Sequence, residues 1–398
     1  MKRGRQLSFV DYKISSLIPP DDPLKLLFDS VDFSFIYPLL SKLYSKEGRE
    51  GYDPVSLFKA ILLIYLGFAS SERDLSNKLR FDGRLSFLCG FSYGETPKHN
   101  TFHYFRKRLG SEIFSKILIN LISQALCLIR AKKLRLSIDS THLSAFTTDM
   151  DAKWGYKEAD FSFFGYKIHI QVTTNTELPI PVSFEITPGN EWDGAHLPPL
   201  TEASSEIVAE HGKRIDALIA DAGYDSASNA VYLMEKEITP YIAENPRGRE
   251  NPIFRGDIVI SPEGKFLCRG GAELSYWGRE KKRRRLKFRC PFWKKKGAGC
   301  LFKDTCWKGS YGPTFYLKEE QGARDALRAL RSSSSFARVY KTRSVIERFF
   351  SILKGSHFLE ELRFRGIKNV SIHVIFSICA YLLRLIASMK MKTSLIAV

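Results

Sequence analysis

The spacing of apolar and polar positions changes several times along the chain, and each change marks a boundary. Residues 51–131 carry apolar side chains at helical intervals. The stretch "DPVSLFKAILLIYLGF" opens at Asp53, a good N-cap, with Pro54 at the first helical position. "SSERDLSNKLRF" and "TPKHNTFHYFRKRLG" follow as further helices, and the last one ends in Arg106, Lys107, Arg108 and Gly110. Residues 132–243 alternate strand and helix. "LRLSID" predicts a strand ending at Asp139, and "YKIHIQVTT" alternates with period two. "PIPVSFEIT" carries two prolines, which predicts a strand at a sheet edge. A helix in "AHLPPLTEASSEIVAEHG", a short strand "IDALIAD" ending at Asp221, a helix in "SASNAVYLMEKE" and a strand in "ITPYIAE" complete the order β-β-β-α-β-α-β. Such an order predicts an α/β fold with a mixed sheet. Residues 244–335 break the rhythm. Helices resume over residues 339–355, with Val345, Phe349, Ile352 and Leu353 as the expected buried stripe, and from about residue 370 to 389. Five segments follow: an N-terminal segment (1–50), a helical part (51–131), the first part of the α/β core (132–243), an insertion (244–335) and the second part of the core (336–398).

Charge narrows the choice of partner. The 398 residues include 61 Lys+Arg against 43 Asp+Glu, a net charge of +18, on a globular composition of 44% apolar residues. An excess of that size suits a polyanion, and nucleic acid first. The helix ending in Arg106 and Arg108 has two readings: basic residues complementing a helix dipole, or a helix-turn-helix-like surface facing DNA. The apolar runs near residues 60–69 and 374–383 are about half of the ~20 residues that a bilayer span needs. The start "MKRGRQLSFVDYK" lacks the apolar core of a signal peptide. The expectation is a cytoplasmic, nucleoid-associated protein with no membrane partner.

Three acids stand in settings that suggest chemistry. Asp139 and Asp221 each close a short apolar strand and precede small polar residues, "DSTHLSAF" and "DAGYDS". Ligands gather at strand ends in open α/β sheets, although a lone aspartate there is commonly a turn or cap residue. Glu347 lies in "VYKTRSVIERFFSILKG". At about 100° per residue, Tyr340, Arg343, Glu347 and Lys354 fall on one helical face. An Arg343–Glu347 ion pair would contribute only a few tenths of a kcal/mol. Two Asp and one Glu suit hard divalent cations, and two such cations suit in-line cleavage of a phosphodiester.

At this point the sequence resembles a family. "LSIDSTHLSAF", "LIADAGYDS" and "YKTRSVIERFFSILK" resemble the three acidic motifs of DDE transposases from bacterial insertion sequences. The last matches the signature Tyr-x2-Arg-x3-Glu-x6-Lys at Tyr340, Arg343, Glu347 and Lys354. "GYDPVSLFKAILLIYLGFASSERDLSNKLR" is similar to the helical amino-terminal domain of that group. The resemblance implies a ribonuclease H-like core preceded by a helical DNA-binding domain and interrupted by an inserted basic subdomain. It further implies Asp139, Asp221 and Glu347 as catalytic metal ligands for two Mg²⁺ ions, with Mn²⁺ as a substitute. Tyr340, Arg343 and Lys354 would contact DNA near the cleaved end. The implied partners are double-stranded transposon ends and target DNA, held by a homodimer in the synaptic complex. The implied reaction is cleavage at the ends followed by 3′-hydroxyl strand transfer. A nuclease or resolvase of the same fold, and a retained DNA-binding protein without activity, are the alternatives.

The insertion carries two further features. Residues 281–296, "KKRRRLKFRCPFWKKK", hold ten basic residues and no acid. Arg283, Arg284 and Arg285, with interleaved aromatics, suggest a phosphate-tracking surface, as do Arg106 and Arg108 in the helical part. By resemblance, Trp277 or Trp293 would hold a flipped base. Of the seven cysteines, Cys89, Cys127 and Cys379 sit in apolar settings and read as core. Cys268, Cys290, Cys300 and Cys306 cluster at spacings of x21, x9 and x5, without a Cys-x2-Cys pair. They read either as reduced thiols of a small domain or as a structural Zn²⁺ site.

Overall fold

The structure, a computed structural model, describes residues 7–44, 51–158, 161–245, 258–260, 265–268, 270–283, 285–295, 297–306, 312–318 and 321–391. It divides into two compact units, one from residues up to Leu218 together with Lys341 onward, the other Ile219–Tyr340. The first unit begins with helices α1 (Phe9–Leu17), α2 (Pro23–Asp29), α3 (Ile36–Leu40), α4 (Pro54–Tyr65), α5 (Glu72–Phe81), α6 (Gly83–Cys89) and α7 (His99–Cys127). Strands β1 (Lys133–Ser144), β2 (Lys153–Glu158), β3 (Phe161–Thr173) and β4 (Pro181–Pro188), helix α8 (Leu197–Ala209) and strand β5 (Arg214–Ala220) follow. The second unit takes the end of β5, then α9 (Ala227–Glu235), β6 (Thr239–Ile242), β7 (Ile258–Ile260), β8 (Phe266–Cys268), β9 (Ser275–Glu280), β10 (Arg285–Arg289), α10 (Lys303–Cys306), β11 (Thr314–Lys318), α11 (Gln321–Arg331) and α12 (Ser334–Tyr340). The first unit resumes with α13 (Ser344–Ser356) and α14 (Ile367–Met391).

Local chemistry sets the helix ends. Asp53 caps α4 through its carboxylate and Pro54 takes the first turn, as expected from the sequence. Gly110, at φ 66°, breaks α7 at the expected position, because a left-handed residue cannot continue a helix. The core of the first unit forms where α2, α4 and α7 pack against α14. Phe376 sits at its centre, with ring centroids 5.4 Å from Phe58, 5.5 Å from Tyr65 and 5.0 Å from Phe114. The α14 helix is longer than its apolar run suggested. Among the described residues it alone has the length and hydropathy of a bilayer span, yet 94% of its most apolar window is buried inside the protein.

In the sheet of the first unit, β3 pairs antiparallel with β1 on one edge and with β4 on the other, while β2 pairs with its first residues. β5 lies next to β1. The proline-bearing strand pairs with β3 alone, which agrees with the edge position expected for it. Two sequence expectations change. The order gains a strand, β2, whose Trp154 and Tyr156 are exposed, so no apolar alternation announced it. The first strand does not stop at Asp139. It continues to Ser144, with Thr141 and Leu143 opposite Ile168 and Tyr166, so Asp139 is a mid-strand residue.

In the second unit, β6 continues beside the end of β5, where Ala243 N–H donates to the Ala220 carbonyl at 3.2 Å. A small three-stranded sheet (β11-β10-β9) and the β7-β8 pair enclose Leu274, Phe288, Cys290 and Phe315. The helix expected over residues 339–355 is divided. α12 ends at Tyr340, a 3-10 turn covers Lys341–Arg343, and α13 starts at Ser344. This resets the phase, and the buried stripe is Ile346, Phe349, Phe350 and Leu353.

Two histidines tie the core to solution pH. His373 is buried between the Tyr65 hydroxyl (3.0 Å from Nδ1) and the Leu359 carbonyl (3.0 Å from Nε2). His357 is buried with Nδ1 3.1 Å from the Tyr65 carbonyl. Burial pushes both imidazoles down to about 4. As pH falls below their usual value of about 6.5, the unfolded chain takes up protons that the folded chain refuses. Stability is therefore expected to fall between pH 6.5 and 4. The urea midpoint of His373→Phe should depend less on pH over that window than the wild-type midpoint does. Equal pH dependence in the two proteins would contradict a neutral buried His373.

Candidate active site

Alternation along β1 puts Ser137, Asp139 and Thr141 on one face, with Asp139 opposite Ile170 on β3. α13 packs against β1. Arg343 ends the 3-10 turn and forms the N-cap position of α13, and Glu347 lies in the first turn of that helix, where its charge complements the dipole. The Arg343 guanidinium joins the two acids. Its Nη1 donates to Asp139 Oδ2 at 2.9 Å, and its Nη2 donates to Glu347 Oε1. The expected ion pair between Arg343 and Glu347 is thus present, but it is only half of the arrangement. Two carboxylates, one 204 residues from Arg343 in sequence and the other 4, converge on this one cationic group. Their donor set is all oxygen and anionic, which fits a hard divalent cation.

Asp221 follows β5, the strand next to β1. Its carboxylate caps a 3-10 turn, accepting from Gly223 N–H at 2.9 Å. Asp225 does not cap the following helix, since Ser226 does. It pairs with Arg331 at 2.8 Å and accepts from Asn245 N–H.

The remaining candidates separate by environment. Lys354 pairs with the exposed Glu360 at 2.6 Å. Tyr340 belongs to α12, where it stacks on Phe336 at 5.4 Å, and so shares no helix with Glu347. Arg106 is a correction. It is buried, bonded to Glu72 at 2.7 Å and set 4.1 Å from the Phe364 ring, which leaves it unable to face DNA. Arg108 is exposed beside the Tyr44 ring. Arg285 pairs with Glu280 at 2.6 Å and lies over Tyr316. Arg284 and the side chain of Arg283 lie outside the described residues. Trp277 and Trp293 flank one guanidinium, that of Arg289, at 4.2 and 3.8 Å. Cys127 is exposed rather than core, while Cys89 and Cys379 are buried.

One group behind the acid escaped the sequence reading. On the opposite face of β1, Ser140 Oγ donates to Asp193 at 3.1 Å, and Lys167 pairs with the same carboxylate at 2.8 Å. His169 stacks on His196 with centroids 4.2 Å apart, and His196 bonds Glu185. Burial, then the neighbouring His196, pushes the His169 imidazole down to about 4. This network braces the strand at the residue after Asp139. Asp193 and His196 bound a single 3-10 turn before α8, too short for a periodicity to reveal them.

The model of the family described as "Transposase DDE domain" matches residues 130–383, which contain all three acids. The chain belongs to the DDE transposase family. A second family model, "Transposase domain (DUF772)", matches residues 12–108, which run from within α1 into α7. No curated protein matches the transposase. Among solved structures, a piggyBac transposase synaptic complex with hairpin DNA is similar at 12% identity and a TM-score of 0.41, over 92% of this chain and 74% of that one. A Drosophila P element transposase strand transfer complex is similar at 13% identity and a TM-score of 0.26, over 87% and 70%. At these scores the likeness is distant. The family uses divalent metal ions, and the oxygen donors gathered at Arg343 suit them.

Proposed function

We propose that this transposase uses Asp139, Asp221 and Glu347 to hold two Mg²⁺ ions, cuts transposon ends and joins the freed 3′-hydroxyl to target DNA. One observation carries the reading: Asp139 and Glu347, remote in sequence, both bond the guanidinium of Arg343. When bound, a pair of such cations supplies Lewis-acid stabilisation to the attacking and leaving oxygens. Mn²⁺ would substitute, having similar ligand preferences. Asp139 stands on a braced central strand and Glu347 on the first turn of a packed helix, so both carboxylates start close to a working position. Asp221, which stands in the second acidic motif that resembles the family's, is the third ligand. Arg343 neutralises the acids in the resting chain and turns to a DNA phosphate in the working one. Lys354 would exchange its exposed partner Glu360 for phosphate at little cost. Tyr340 completes the grip on the cleaved end, and the basic insertion (244–335) and Arg108 extend the DNA surface.

The β4-β3-β1-β5 order supports a ribonuclease H-like core. A homodimer pairing two ends, acting on nucleoid DNA in the cytoplasm, completes the proposal. The test is to incubate the protein with oligonucleotides bearing the element's ends, a supercoiled plasmid and Mg²⁺. Joined products are expected. Cleavage without joining would favour a nuclease or resolvase, and DNA binding without cleavage a retained binding protein.

A further inference from the structure

The insertion contains a second site, unrelated to the acidic triad. Four segments of the second unit bring one cysteine each to a cavity of ≈ 20 Å³: Cys268 at the end of β8, Cys290 after β10, Cys300 in a turn and Cys306 at the end of α10. The rest of the lining is Gly270, Phe302, Lys303, Pro313 and Phe315, with no carboxylate. A space of that size holds one water-sized occupant. None of the four cysteines forms a disulfide.

The backbone around the sulfurs is turned in a repeated way. The Cys268 carbonyl accepts from Gly271 N–H at 2.9 Å, the Cys290 carbonyl from Trp293 N–H at 3.2 Å, and the Cys300 carbonyl from Lys303 N–H at 3.3 Å. Gly271 takes φ 75°, which a side chain would resist. Lys303 adds a positive charge beside the cavity, which favours thiolates there. These turns follow three of the four cysteines, whose residues line one cavity with Cys306; four thiols suit tetrahedral zinc. The small sheet also needs a staple, because its buried core is only Leu274, Phe288, Cys290 and Phe315.

We propose that Cys268, Cys290, Cys300 and Cys306 bind one structural Zn²⁺, which ties residues 297–306 to the β-sheet of the insertion. Among the described residues, no group of three or more His, Cys, Asp or Glu is already arranged to hold a metal ion. Binding therefore includes an inward rotation of the thiols that line the cavity. Four S–H protons leave to solvent, four Zn–S bonds form, and the waters of the aqua ion are released. No redox change occurs.

The test uses the full chain, purified under reducing conditions. Elemental analysis is expected to find one zinc per chain, and X-ray absorption at the zinc edge four sulfurs at about 2.3 Å. Cys300→Ser and Cys306→Ser should each lower the zinc content at least tenfold, while Cys127→Ser keeps it. Chelation of wild-type protein should expose residues 297–306 to protease and free four thiols to a thiol reagent, leaving DNA cleavage chemistry to be scored separately. Three results would overturn the proposal: a folded chain that takes up no zinc on titration, zinc with nitrogen or oxygen neighbours only, or disulfides among the four cysteines in protein purified without oxygen.

Discussion

Glu347→Gln is expected to lower DNA-end cleavage at least about 10³-fold, beyond the 10–100-fold typical of residues that only orient a metal ligand. The substitution keeps shape and one acceptor oxygen but removes the charge. Affinity for end DNA should stay within about twofold, since a carboxylate facing phosphate contributes no attraction. Stability should change by no more than about 1 kcal/mol, because Glu347 is half-exposed and its bond to Arg343 is a helix-surface ion pair. Asp139→Asn should reproduce the loss. Glu360→Gln serves as the control: it frees Lys354 without touching the acids and should leave cleavage intact. Wild-type cleavage by Glu347→Gln would remove Glu347 from the chemistry and reduce its pairing with Arg343 to a surface contact.

Arg106→Met is expected to destabilise the protein by about 3 kcal/mol, the usual cost of stranding a buried charge. Arg106 is 6% exposed, and its partner Glu72 would lose this ion pair in a partly closed setting. The loss also removes the guanidinium from the Phe364 ring. Glu72→Gln combined with Arg106→Met should recover part of the stability, which a double-mutant cycle in urea would measure. Arg108→Ala should behave oppositely. Its stability should be near wild-type, while its affinity for DNA falls and the salt dependence of binding becomes shallower by about one phosphate contact. Arg106→Met with unchanged stability and weakened DNA binding would reverse the roles assigned to these two arginines.

The contrast between Arg106 and Arg108 shows where the sequence was legible. Both lie in one basic run, and periodicity marks the run as helical but does not rank its members. Burial depends on Glu72 and Phe364, which are remote in sequence. The long helices, the cap at Asp53 and the break at Gly110 depend on neighbours within a few residues, so they could be read directly. The family could be read from the sequence, and the family model confirms it. The notion of one helical face for Tyr340, Arg343, Glu347 and Lys354 could not be kept, because of the 3-10 turn at Lys341–Arg343, which nothing local signals. The small polar residues after Asp139 suggested a strand end there, but pairing with β3 extends the strand through them. Loose cysteine spacing hid the common cavity, which only tertiary folding brings together.

The position of α14 has a consequence for how the protein is made. α4 and α7 are synthesised well before the helix that covers them. The bond between Tyr65 and His373 spans 308 residues. At about 5–20 residues per second, the ribosome needs on the order of 15–60 s to cover that distance. For that time the apolar faces of the early helices lack their final partner. A protein cut short before Ile367 would keep them bare, making it a substrate for chaperones and proteases rather than a free-standing DNA-binding fragment.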